Sequence, residues 1–245
     1  VIKIKLKVLA SGSSGNAYLL TSSGRSILLE CGIRFEEIKK KLNFNFDNIL
    51  GCLLTHEHMD HAKSVTNVLA HGIDCYMSQG TADALQLNHH RLHIANEQFT
   101  LDNFTIMPFK VEHDVKEPLG FLIYDNITKE KLVFATDTPY LIYRFNNVNY
   151  YMIECNYDRD KLEENIETGV INHSMRNRLL NSHFEINSLI EYFRFTDLKS
   201  CRKIVLIHLS SNNSSDDFQA RIQNATGIDT EIAWNQNIEL RLYPF

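Results

Sequence analysis

The sequence predicts an α/β fold in which two sheets pack face to face with helices on their outer sides. Three observations point there. Short apolar runs of strand length recur along the chain, amphipathic helical stretches alternate with the later ones, and 44% of the 245 residues are hydrophobic, enough for a two-sided core. With 4 Pro and 10 Gly, no repeat and no low-complexity tract, no linker stands out, so 1–245 reads as a single domain.

The opening Val1-Ile2-Lys3-Ile4-Lys5-Leu6-Lys7-Val8-Leu9 alternates with period two. That pattern predicts a strand over 3–9 and is unlike a secretory signal. Strands over 16–21 and 26–30 follow across the Gly/Ser turns Ser11-Gly12-Ser13-Ser14-Gly15 and Ser22-Ser23-Gly24, which suggests a meander. A helix over 35–42 carries Lys39-Lys40-Lys41, read as a solvated face. The apolar run at 49–54 reads as a buried strand, and helices over 62–71 and 79–87 come next. His71 before Gly72 suits a helix C-terminus, where the dipole favours a cation. Strands are expected over 104–109, 119–125, 131–135, 149–154 and 203–207, helices over 186–195 and 215–223, and an edge strand over 237–242.

Charge and cysteines narrow the function. The net charge of −5, with Lys and Arg dispersed, disfavours a long polynucleotide track and favours a small anionic substrate held mainly by metals. No apolar run approaches the ~20 residues of a membrane span. Cys31, Cys52, Cys75, Cys155 and Cys201 form no C-x-x-C pair and sit mostly in apolar runs, the usage of reduced, buried thiols in a cytosolic protein.

The chemistry is concentrated in Thr55-His56-Glu57-His58-Met59-Asp60-His61, straight after the 49–54 run. Two side chains two apart on an extended segment can grip one ion, while Asp60 and His61 reach a neighbouring one. Imidazole nitrogen with carboxylate oxygen suits Zn²⁺, with Mn²⁺ or Fe²⁺ as alternatives. Further ligands are needed for two metals, and three follow apolar strands: His113, Asp137 and His208. His89, His90 and His93 lack a carboxylate partner or strand end in the sequence and read as helix-surface or loop residues. His173 sits in a polar stretch.

The order H-x-H-x-D-H, His, Asp, His resembles the metallo-β-lactamase superfamily over nearly the whole chain. That resemblance implies a four-layer αβ/βα sandwich with two metals at one edge: His56, His58 and His113 on the first, Asp60, His61 and His208 on the second, and Asp137 bridging. The exported β-lactamases use a Cys ligand where this chain has His61 and Asp137, and glyoxalase-type thioesterases add a helical region for which there is little length. The turn containing Ser13, Ser14 and Asn16 resembles that of the YycJ-type exonucleases, and hydroxyls with backbone N–H groups suit a phosphate. Glu154 and His183 occupy the places of the carboxylate–imidazole pair of tRNase Z, which implies a general acid, with Asp60 sharing proton handling. The long tRNA-gripping arm of tRNase Z has no counterpart. Compactness and the intact ligand set resemble the anti-Pycsar cyclic-nucleotide phosphodiesterases of phages and bacteria. Those homodimers open 3′,5′-cyclic nucleotides such as cCMP and cUMP and so blunt an antiviral signal. By that resemblance Tyr140, Tyr143 and Tyr157 could stack on a base. The alternative is a YycJ-like 5′-exonuclease or another nuclease.

Overall fold

The computed structural model describes residues 4–234 and 237–240. Its strands are β1 (Ile4–Ala10), β2 (Ala17–Ser22), β3 (Arg25–Leu29), β4 (Ile49–Leu53), β5 (Cys75–Met77), β6 (Leu92–Ile94), β7 (Phe99–Leu101), β8 (Phe104–Lys110), β9 (Leu119–Asp125), β10 (Glu130–Ala135), β11 (Tyr150–Glu154), β12 (Lys203–Ile207), β13 (Asp229–Ile232) and β14 (Asn237–Leu240). The helices are α1 (Phe35–Lys41), α2 (Met59–Ala62), α3 (Val65–Ala70), α4 (Gln79–Ala84), α5 (Arg159–Glu167), α6 (His173–Ser182), α7 (Ile186–Arg194) and α8 (Phe218–Thr226).

The strands form two seven-stranded sheets, ordered β14-β1-β2-β3-β4-β5-β6 and β13-β12-β11-β10-β9-β8-β7. Each sheet changes character partway. The run β14-β1-β2-β3 is antiparallel and β3-β4-β5-β6 parallel, while β7-β8-β9-β10 is antiparallel and β10-β11-β12-β13 parallel.

Alternation along the strands builds the layers, because successive side chains face opposite sides. Ile4, Leu6 and Val8 of β1, Ile27 and Leu29 of β3, Tyr150 and Met152 of β11 and Val205 and Ile207 of β12 fill the space between the sheets. Leu28 and Cys52 face the other way onto Ile38, Val68 and Leu69 of the helices outside the first sheet. Tyr151, Ile153, Ile204 and Leu206 likewise meet Leu189 and Phe193 of α7 and Phe218 and Ile222 of α8. Two sheets, each covered outside by helices, are the predicted α/β sandwich.

Differences from the expected elements have local causes. The helix expected over 62–71 is split into α2 and α3, because Ser64 is tied down by Cys31 O, which accepts its N–H at 3.0 Å, and by Ile33 O, which accepts its hydroxyl. The helix expected over 215–223 is shifted to α8, ended by Gly227 in the left-handed conformation at φ 72°. Strands β5, β6, β7 and β13 were not expected; at three or four residues they are too short to show a period. Helices α5 and α6 are polar and bury little beyond Leu162, and they start at the side-chain caps Asp158 and Asn172. Lys3, Arg241 and Leu242, expected to extend the first and last strands, lie outside the described residues.

All five cysteines are buried and free. No helix among the described residues is long and apolar enough to cross a membrane.

Candidate metal centre

The ligand loop begins where β4 ends. Thr55 and His56 are buried at the strand exit, His58 precedes the first turn of α2, and that turn carries Asp60 and His61. Backbone bonds from the residues just before β2 and just after β3 hold the turn: Asn16 N–H donates to Asp60 O at 2.7 Å and Cys31 N–H to His61 O at 2.8 Å. Gly32 makes this approach possible, since a Cβ there would lie 1.7 Å from Asp60 O.

The other side of the centre is assembled from separate strand ends. Glu30, Asp137 and His208, which follow β3, β10 and β12, all take left-handed backbone angles, with φ of 62°, 47° and 53°. Such conformations cost about 1–3 kcal/mol each and are held only where the surroundings over-determine them. Here they turn the side chains inward at the sheet edge.

Asp137 lies at the middle, buried. Its Oδ1 is 3.2 Å from His61 Nε2 and 3.0 Å from His208 Nδ1. Its Oδ2 is 3.9 Å from His56 Nε2 and 3.7 Å from His113 Nε2. The two oxygens of one carboxylate thus face different groups of imidazoles. Three sets of ligand atoms are close enough to hold an ion: His56, His58, His113 and Asp137; Asp60, His61 and His208; and Asp137, Glu154, His183 and His208.

The donor chemistry fits metal ions. His56 Nε2 is buried without a hydrogen-bond partner, and an unpaired buried nitrogen is costly unless something fills the gap. Thr55 Oγ1 contacts His56 Nδ1 at 2.9 Å, and His113 Nδ1 reaches Ser182 O at 3.1 Å. With Nδ1 of His113 donating to that carbonyl, its Nε2 lone pair is left to the centre. Burial, then the neighbouring His61, pushes His56 well below the ordinary imidazole range, so its ring is neutral, the form that can donate a lone pair to a metal. Burial works against the Asp137 carboxylate, but His208 and His61 outweigh it and hold its pKa well below the usual carboxylate value.

Glu154, at the end of β11, is fully buried and fully engaged. Its Oε1 faces His183 Nδ1 at 2.7 Å and His208 Nδ1 at 2.8 Å, while its Oε2 accepts N–H bonds from Thr138 at 3.1 Å and Phe184 at 3.0 Å. Burial disfavours a charged His183 ring, yet Glu154 overrides it, so its pKa lies above the ordinary value.

The structure therefore brings His56, His58, Asp60, His61, His113, Asp137, His208, Glu154 and His183 to one sheet edge. Ser13 and Ser14 line a cavity of about 590 Å³ beside it. Asn16 does not line that cavity. It is 1% exposed, and its side chain bonds Gly12 N, Gly12 O and Asp60 O, so it braces the turn against the ligand loop and corrects the expectation of substrate contact. Tyr157 is also corrected: at 1% exposed it packs with Leu162 and Ile171, whereas Tyr140 and Tyr143 are exposed. His93 lies on β6 and has a carboxylate partner, Asp74, 3.1 Å away. His71 ends α3 and meets Phe35 and Phe46 edge-on.

Sequence reasoning missed Glu30. Its buried carboxylate lies 3.7 Å from His61 Nδ1 and accepts the Thr55 N–H at 3.2 Å. The signal was available: Glu30 follows the apolar Ile27-Leu28-Leu29, as Asp137 and His208 follow theirs. Thr55, Ser11 and Ser182 gave no such signal, because their parts are played by a hydroxyl or a backbone carbonyl.

The Beta-lactamase superfamily domain matches residues 25–209, a span that contains every residue of the candidate metal centre. The chain belongs to that superfamily. Within it, the chain is similar to the exodeoxyribonuclease YycJ of Bacillus anthracis, 27% identical over 229 residues that cover 86% of this chain and 84% of the relative. It is similarly related to the exodeoxyribonuclease WalJ of Streptococcus pneumoniae, 28% identical over 233 residues, covering 87% and 84%. The metallo-β-lactamase fold protein YhfI from Bacillus subtilis superposes with a TM-score of 0.72 at 17% identity, covering 97% of this chain and 99% of YhfI, and shares the fold.

Proposed function

We propose that this member of the superfamily hydrolyses phosphodiesters with two divalent metal ions, and that its substrate is the end of a DNA strand. The observation that carries the hydrolytic reading is Asp137, whose Oδ1 and Oδ2 face two separate imidazole groups. His56, His58 and His113 would hold one ion, and Asp60, His61 and His208 the other, with Asp137 shared. Zn²⁺ suits this mixture of donors, with Mn²⁺ the other candidate. Bound there, the pair of ions would lower the pKa of a water and offset charge on the phosphate.

The residues of the chain do the rest. Glu154 fixes the His183 ring through Nδ1, leaving Nε2 to carry the proton for the departing oxygen; His183 is the general acid of this reading. Asp60, partly exposed beside His208, shares proton handling. Ser13 and Ser14 offer hydroxyls to phosphate oxygens from the cavity wall.

The names of the two relatives, each matched over 84% of its length, support DNA as substrate. A second reading, hydrolysis of 3′,5′-cyclic nucleotides such as cCMP and cUMP, is favoured by the net charge of −5 and by a cavity of single-nucleotide scale. The test is a metal-reconstituted protein offered 5′-phosphorylated single-stranded DNA, cCMP, cUMP, cAMP and cGMP. DNA shortening from one end, abolished by chelator, is expected. Turnover of cyclic mononucleotides alone would replace the first reading with the second. No turnover of any of them would sink both.

A further inference from the structure

The 590 Å³ cavity beside the metal centre has a composition that the metal chemistry does not explain. It is within the ~300–1,000 Å³ range of small-molecule clefts. Its wall is rich in hydroxyls, among them Ser13, Ser14 and Ser211, and it holds Lys161 and Trp234. Two wall residues tie the cavity to the centre. Ser11, on its wall, accepts the His208 N–H at 3.0 Å and the Tyr18 hydroxyl at 2.8 Å, and Leu209, the next residue after His208, also lines it.

Two side chains stand out. Trp234 is the 1 Trp of the sequence and remains 55% exposed on the cavity wall. A large flat indole left uncovered there has a face to offer. Lys161 donates to the Ser214 carbonyl, and among the described residues no carboxylate pairs with its ammonium. Asp216 shares the wall but forms no ion pair with it. Hydroxyls and an unneutralised ammonium suit phosphate oxygens, and an exposed indole suits a nucleobase, since bases stack on aromatic faces whatever their identity.

We propose that this cavity is a nucleotide subsite, with a phosphate held by the Ser13 and Ser14 turn and Lys161 and a base stacked on Trp234. The assignment rests on the phosphodiesterase reading and names the residues that grip the nucleotide next to the scissile bond. Trp234 and Lys161 thereby become determinants of substrate affinity, and neither would touch the metals.

Because no other tryptophan is present, emission excited at the indole edge reports on this cavity alone. The experiment titrates the chelator-treated full chain with dAMP, with 2-deoxyribose 5-phosphate, with a 5′-phosphorylated oligodeoxynucleotide and with cCMP. Saturable quenching by dAMP, and little by the base-free sugar phosphate, is expected. Lys161→Ala should weaken the dAMP titration several-fold. In the metal-loaded enzyme Trp234→Ala should raise KM about tenfold with a much smaller fall in kcat, and Trp234→Phe should restore most of the loss. Tighter quenching by the oligonucleotide would place a DNA end in the cavity, and tighter quenching by cCMP a mononucleotide. Unchanged emission with all four probes in a protein that turns over substrate overturns the subsite and leaves the phosphodiesterase reading standing. Absence of turnover on every phosphodiester overturns the latter, whatever the emission does.

Discussion

The two halves of the candidate metal centre are built in opposite ways. The first sheet contributes His56, His58, Asp60 and His61 from one short segment that runs from the end of β4 into α2. The second contributes His113, Asp137 and His208 from the ends of three different strands. The compact half is held by backbone: Asn16 and Cys31 bond the Asp60 and His61 carbonyls, and Gly32 leaves room for the Asp60 backbone to approach. The dispersed half is held by a buried carboxylate, Glu154, which contacts two imidazoles and two backbone amides. A local motif needs its loop pinned, whereas ligands far apart in sequence need a hub.

Mutations can break this contrast, and the largest effect belongs to the residue shared by both halves. Asp137→Ala should lower kcat at least about 1000-fold, because several kcal/mol of charge stabilisation is lost; metal analysis should show fewer than two ions bound per chain. Gly32→Ala comes next. Its Cβ would collide with Asp60 O at 1.7 Å, so thermal unfolding should show a loss of about 3 kcal/mol. A wild-type melting curve would mean that the compact half is not pinned by this contact.

The two carboxylate supports separate the halves. Glu154→Gln should reduce kcat about 100-fold, with metal affinity also falling, whereas Glu30→Gln should weaken metal affinity only about tenfold. Glu30 touches one imidazole and one backbone amide, against two of each for Glu154. Equal effects in a metal-competition titration would erase the distinction. The smallest effect is expected away from both halves. Arg176→Ala removes a solvent-screened pair with Glu163 between α5 and α6; a denaturant titration should leave the unfolding midpoint almost where it is in the wild type.

The same contrast explains what could be read in advance. The His56 to His61 ligands share one stretch of chain, so their grouping is visible in the order of residues. His113, Asp137 and His208 were legible as polar residues closing apolar runs, and the resemblance to a known family joined them. Glu30 fits the same rule and was overlooked, because a lone acid after a strand is common. Asn16 and Tyr157 went the other way: their residue types suit a ligand, and only their burial shows that they serve packing and bracing.

By itself, the sequence determined the sandwich, the ligand types and the strand ends on which they sit, because alternation and spacing are local properties of a chain. Only the tertiary structure decided that Asp137 offers one oxygen to each side, that Glu154 reaches both His183 and His208, and that Trp234 borders the same cavity as the Ser13 turn. Those relations join residues from distant parts of the chain, and they exist only once two twisted sheets have closed over a common core.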